Sequence, residues 1–166
     1  MTDFDGQSSE LVRRIATALV AKSARLAVAE SCTGGWIAKL LTDQPGSSAW
    51  FCCGVVAYRN EAKEDLLGVS PDTIAALGAV SEDVAEQMAT GARLASAAEI
   101  AVAVTGIAGP GGGTRDKPVG TVCFAWAGPG VQLISETRRF TGDRDAIRRQ
   151  SVIAALEGVL NQLTAP

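Results

Sequence analysis

The 166-residue chain contains no histidine. That absence removes the Ser-His-Asp triad, the Cys-His pair and the commonest imidazole metal ligand together. Positive charge is not in excess either: 15 basic against 18 acidic residues leave a formal net charge of -3, so no overall positive field invites nucleic acid or an anionic membrane. No apolar run is long enough to span a bilayer. The N-terminal stretch MTDFDGQSSELVRR is polar and acidic where a secretory signal needs a basic start and an apolar core. A soluble cytoplasmic protein with no nucleic-acid or membrane partner is expected. The cysteines, Cys32, Cys52, Cys53 and Cys123, form no C-x-x-C pair, and the adjacent Cys52 and Cys53 should point to opposite faces of a strand. They are expected to be free thiols, three of them in segments that read as buried strands or strand ends, with no metal bound. The chain also lacks repeats, low-complexity tracts and linkers. With 47% hydrophobic residues it reads as one domain, 1–166, with a substantial core.

What is present alternates between helix and strand periodicity. SELVRRIATALVAK (9–22) places Leu11, Ile15 and Leu19 on one helical stripe. RLAVA (25–29) reads as a strand, followed by a tight turn and the helix pattern TGGWIAKLLTD. AWFCCGVVAY (49–58) reads as a second strand, apolar enough to be covered on both faces, and NEAKEDLLG as a short helix. Ser70 or Pro71 opens another short helix, and Ser81, followed by Glu82 and Asp83, caps one running to about Ala97. EIAVAVTG is a valine-rich strand. GTVCFAWAG and VQLISETRRF form a hairpin through Pro129 and Gly130, and a long helix from about Asp143 carries Val152, Leu156, Val159 and Leu163 on one face. This order predicts a three-layer α/β/α sandwich with a mixed, mostly parallel sheet and an antiparallel hairpin near the C-terminus. Ligands in such folds collect beyond the carboxyl ends of the strands.

Two such strand ends carry candidate chemistry. In AESCTGGWIAKLL (29–41), Ser31 and Cys32 stand where a strand turns into a helix, with unpaired amides able to stabilise an oxyanion. The same string also fits a plain helix cap by Ser31 or Thr33, with Gly34 and Gly35 allowing close packing. With histidine absent, a proton acceptor for Ser31 must be lysine, tyrosine or a carboxylate. Lys63, just beyond the second strand, is the best-placed lysine, although a solvated helix charge is the alternative reading. Tyr58, the single tyrosine, could orient it. The loop TGIAGPGGGTRDKPVG (105–120) matches neither a P-loop nor a dinucleotide fingerprint, but its small residues suit a site wall. Arg138, Arg139, Arg144, Arg148 and Arg149 make the C-terminal region locally basic, and any one of them could meet a phosphate.

The strings AESCTGGWIAKLLTDQPGSSAWF, GVVAYRNEAKEDLLGV, GAVSEDVAEQMA, TGIAGPGGG and KPVGTV, in that order, closely resemble the CinA C-terminal domain family from about residue 9 to 160. Stand-alone members look like nicotinamide-nucleotide amidases, and longer ones carry an additional N-terminal molybdopterin-binding-like domain, which is expected to be absent here. The resemblance implies a serine-lysine amidohydrolase that converts nicotinamide mononucleotide to nicotinate mononucleotide and ammonia, without cofactor or metal. It puts the nucleophile on Ser31, the base on Lys63 and an assisting role on Tyr58. Thr33, Gly34, Gly35, Ser48, Thr105, Gly106, Gly109, Gly111 and Arg144 are the expected substrate-binding residues. The expected partner is a small-molecule nucleotide, and the protein is expected to be a homo-oligomer. A nucleotide-binding module without chemistry, or an amidase for another small carboxamide, are the alternatives.

Overall fold

The structure, a computed structural model, describes residues 3–128 and 131–166. Pro129 and Gly130, expected at the hairpin turn, lie outside the described residues. Five strands, β1 (Leu26–Glu30), β2 (Phe51–Val56), β3 (Ile100–Gly106), β4 (Thr121–Gly128) and β5 (Val131–Arg139), form one sheet in the order β2-β1-β3-β4-β5. β1 pairs in parallel with both β2 and β3, whereas β4 runs antiparallel to β3 and β5, so four strands share one direction and β4 opposes them. The helices are α1 (Phe4–Lys22), α2 (Trp36–Asp43), α3 (Asn60–Leu67), α4 (Pro71–Leu77), α5 (Glu82–Ser96) and α6 (Arg144–Thr164). No helix among the described residues is long and apolar enough to cross a membrane.

The period of two along the strands sorts residues by size between the faces. Leu26, Val28, Val102, Val104, Phe124 and Trp126 face α1, α2 and α6, where they meet Ile15, Leu19, Val152, Leu156 and Leu163. Ala27, Ala29, Ala101, Ala103, Ala125 and Ala127 face the opposite layer, so α5 lies close on a floor of methyl groups through Val84, Met88 and Ala92. These are the expected three layers, with two local departures. α1 begins at Phe4, ahead of the expected start at residue 9, because Asp3 caps it, its carboxylate accepting from Gly6 N at 3.1 Å. β2 is not covered on both faces: it is an edge strand of alternating exposure, Cys52 faces solvent and Cys53 is half-buried.

The crossovers from β1 fix the site. β1 leads through α2 to β2 on one side, and β3 flanks it on the other, so chain direction across the sheet reverses at the carboxyl end of β1. α3 is seated against α5 at Gly91, where an added methyl would overlap the carbonyl oxygen of Leu67 at the end of α3. Alanine is the better helix former by about 1 kcal/mol. Gly91→Ala should nevertheless destabilise the protein by about 1–3 kcal/mol, because the clash outweighs propensity. Urea denaturation is the check, and an unchanged or higher midpoint would refute the close α3–α5 approach.

Candidate active site

Ser31 follows β1 directly, and its N–H donates to the Val104 carbonyl of β3 at 3.0 Å, so the sheet itself fixes its backbone. A turn through Gly34 and Gly35, at φ 60° and 94°, then enters α2; both residues use the left-handed region that glycine tolerates. Across the cleft, α3 presents Lys63, which is only 1% exposed. Its Nζ donates to Ser31 Oγ at 3.0 Å, to the Ala57 carbonyl at 3.0 Å and to the Tyr58 carbonyl at 3.2 Å. All three acceptors are uncharged. Burial therefore holds the Lys63 pKa below the ordinary lysine range. The two carbonyls accept only, so in the neutral amine they take its two hydrogens and leave the lone pair facing Ser31.

The cleft around this pair measures ≈ 210 Å³, and its walls include Asn60, Ala79, Val80, Thr105, Gly106, Ala108 and Arg144. Thr105 Oγ1 donates to the Ala79 carbonyl at 2.9 Å, fastening the α4–α5 connection as one wall. Tyr58 meets Lys63 through its backbone carbonyl rather than its ring. Its exposed phenol accepts from Arg144 Nη2 at 3.0 Å, while Arg144 Nη1 donates to the Gly109 carbonyl at 2.7 Å, so Arg144 braces the cleft mouth between the β2–α3 connection and the glycine-rich loop. Cys32 also lines the cleft, but burial pushes its thiol up to about 12. It is protonated at neutral pH and a poor nucleophile. A larger groove of ≈ 920 Å³ between α1 and α6, bordered by Asp3, Phe4, Phe140 and Arg149, is lined by no serine, cysteine, threonine or lysine.

Other expected residues fall elsewhere. Ser48 is exposed in the turn Ser47–Ala49 before β2, at the end of the sheet opposite the cleft. Gly111 has open space around it and does not line the cleft. Thr33, Gly34 and Gly35 shape the turn behind Ser31 without lining the cleft. The amides at the start of α2 are not free for an oxyanion. The Glu30 side chain, fully buried, accepts from Gly35 N, Ile37 N and Ala38 N at 3.1, 3.1 and 2.9 Å. From the other side Arg148 of α6 donates through Nε to the Cys32 carbonyl and through Nη2 to the Thr33 carbonyl, both at 3.0 Å. A carboxylate takes the turn's N–H groups and a guanidinium its carbonyls. Nothing local marks either residue: Arg148 is one of several arginines, and the one clue to Glu30 is a carboxylate ending an apolar strand next to a pair of glycines.

A family model described as the CinA C-terminal domain matches residues 8–163. The chain belongs to the CinA C-terminal domain family. Relatives within it include the nicotinamide-nucleotide amidohydrolase PncC of Escherichia coli K12, 49% identical over 158 residues that cover 95% of this chain and 96% of that protein. The Pseudomonas putida protein of the same name is 53% identical over 150 residues, 90% of this chain and 93% of that one. Among solved CinA-superfamily structures, the competence/damage inducible protein CihA of Agrobacterium tumefaciens superposes with a TM-score of 0.92 at 47% identity, covering 98% of this chain and 100% of that chain.

Truncating Glu30 tests how far the CinA-family turn depends on it. Glu30→Ala leaves three backbone donors without their partner and should cost about 2–4 kcal/mol of stability. Denaturant unfolding measures this, and a loss within experimental error would remove Glu30 from the account. In the native protein, iodoacetamide should alkylate exposed Cys52 and spare Cys32, as peptide mapping would show.

Proposed function

We propose that this protein hydrolyses the carboxamide of nicotinamide mononucleotide to nicotinate mononucleotide and ammonia, with Ser31 as nucleophile and Lys63 as general base. The observation that carries the reading is the 3.0 Å contact between Lys63 Nζ and Ser31 Oγ inside a cleft. Relatives named for this activity, about half identical over nearly the whole chain, support the choice of substrate. The cleft volume suits a pyridine ring and adjoining ribose, with the phosphate at the mouth beside Arg144.

In the proposed sequence neutral Lys63 takes the Ser31 proton as Oγ bonds to the carboxamide carbon. The amides at the start of α2 are occupied by Glu30, so the oxyanion falls to the turn's earlier amides, with Cys32 N–H, next after the nucleophile, the natural donor. Collapse of the tetrahedral adduct breaks the C–N bond, and the Lys63 ammonium passes its proton to the departing nitrogen. Water, deprotonated by the same amine, then hydrolyses the nicotinoyl ester and restores Ser31. No step requires a metal or organic cofactor. Recycling of pyridine nucleotides in the cytoplasm is the setting this reading implies.

Ammonia release from nicotinamide mononucleotide decides the matter. Ser31→Ala and Lys63→Ala should each lower kcat roughly a thousandfold or more. Lys63→Arg should fail equally, because a guanidinium does not surrender its proton. Nucleotide binding without ammonia release by wild type would instead identify a non-catalytic module. Since the neutral amine is the active form, kcat should rise with pH through the lowered Lys63 pKa and flatten above it.

A further inference from the structure

The charge inventory of the cleft is one-sided. Its lining contains two cationic side chains, Lys63 and Arg144, and no carboxylate. Neither cation takes part in an ion pair among the described residues. Glu30 lies close in sequence to the pair, but its oxygens are turned into the amides of α2. The other groups around Lys63 add no negative charge. Cys32 is a protonated thiol, Tyr58 offers a carbonyl, β3 contributes the Thr105 hydroxyl, the α4–α5 connection contributes Ala79 and Val80, and Glu61, Glu64 and Asp65 of α3 are outside the lining.

Such a cleft is a poor place to add another cation. The nicotinamide ring of the proposed substrate is one: N1, bonded to ribose, makes it a pyridinium. With the carboxamide carbon in attack range of Ser31 Oγ, about 3–3.5 Å, the ring is held beside the amine that contacts the same oxygen. N1 is two ring bonds from the carbon that bears the carboxamide. That brings it close to the roughly 4–6 Å over which like charges disfavour each other.

We propose, resting on the function proposed above, that the substrate's own pyridinium charge drives Lys63 into its neutral, proton-accepting form, making the site specific for N1-quaternised pyridine carboxamides. The displaced proton leaves to solvent through the cleft mouth, and the lone pair it uncovers faces Ser31. The ammonium cannot accept the Ser31 proton, so the base is armed by the molecule it acts on. An uncharged ring of the same shape binds without arming it.

The test uses the full chain carrying Ser31→Ala, which prevents acyl transfer, with 13C-labelled lysine. The Lys63 resonance is identified by its loss in the added Lys63→Arg variant. It is titrated free, with nicotinamide mononucleotide, and with reduced nicotinamide mononucleotide, which keeps carboxamide, ribose and phosphate but has a neutral dihydropyridine ring. The expected result is a Lys63 midpoint that moves to lower pH with the oxidised nucleotide and not with the reduced one. Equal movement with both, or none with the oxidised form, overturns the proposal. In wild type the rising limb of kcat should correspondingly lie at lower pH than that of kcat/KM, since the former reports the substrate complex and the latter the free enzyme. Wild type that hydrolyses the nucleotide with an unmoved Lys63 sinks this inference alone, whereas wild type that releases no ammonia sinks the proposed function itself.

Discussion

The cleft is organised around an ammonium-bearing side chain buried without a counter-ion. Lys63 is 1% exposed and its nitrogen touches only uncharged oxygens. Desolvating a lysine is expensive, and the usual remedy is a carboxylate partner. A carboxylate here would hold the amine protonated. Two backbone carbonyls and one hydroxyl satisfy its hydrogen bonds while leaving its proton affinity low.

The rest of the architecture keeps that contact in place. Ser31 is tied to β3 through Val104, and the Glu30 carbonyl accepts from Ala57 N at 2.9 Å, so the strand that carries the hydroxyl also anchors the segment whose carbonyls hold Lys63. Glu30 and Arg148 then clamp the turn from opposite sides, one from β1 and the other from α6. α5 lies low on its alanine floor and meets α3 at Gly91, which sets the depth at which Lys63 enters the cleft. Residues far apart in sequence thus converge on the two side chains at the centre.

Much of this was legible in one dimension because it rests on local rules. Short apolar runs marked the strands, apolar stripes marked the long helices α1 and α6, and the Ser81 and Asp143 caps stand where polar residues precede helices. The missing histidine leaves lysine among the few possible proton acceptors, and Lys63 stands just beyond a strand end, where the family resemblance also puts the base. What stayed hidden depends on the third dimension. Glu30 reads as an awkward charge until α2 folds back over it, and Arg148 is indistinguishable from its neighbours until α6 packs beside the turn. Ser48 shows the converse: its nearness in sequence to the Ser31 turn is undone by α2, which carries the chain from the cleft end of the sheet back to the opposite end, where β2 begins.

The placement of Glu30 also explains how a carboxylate can neighbour Ser31 without spoiling Lys63. A helix start presents unpaired N–H groups with a partial positive charge, and a buried carboxylate is stable there. Without Glu30 the amides of α2 would lie open to an anion, but the turn bearing Ser31 would lose its anchor. With Glu30 in place, its oxygens face the backbone N–H groups at the start of α2, and the Lys63 nitrogen touches only uncharged oxygens. The fold thus separates two tasks: the Glu30 carboxylate rigidifies the turn that bears Ser31, and burial among uncharged oxygens keeps the Lys63 pKa low.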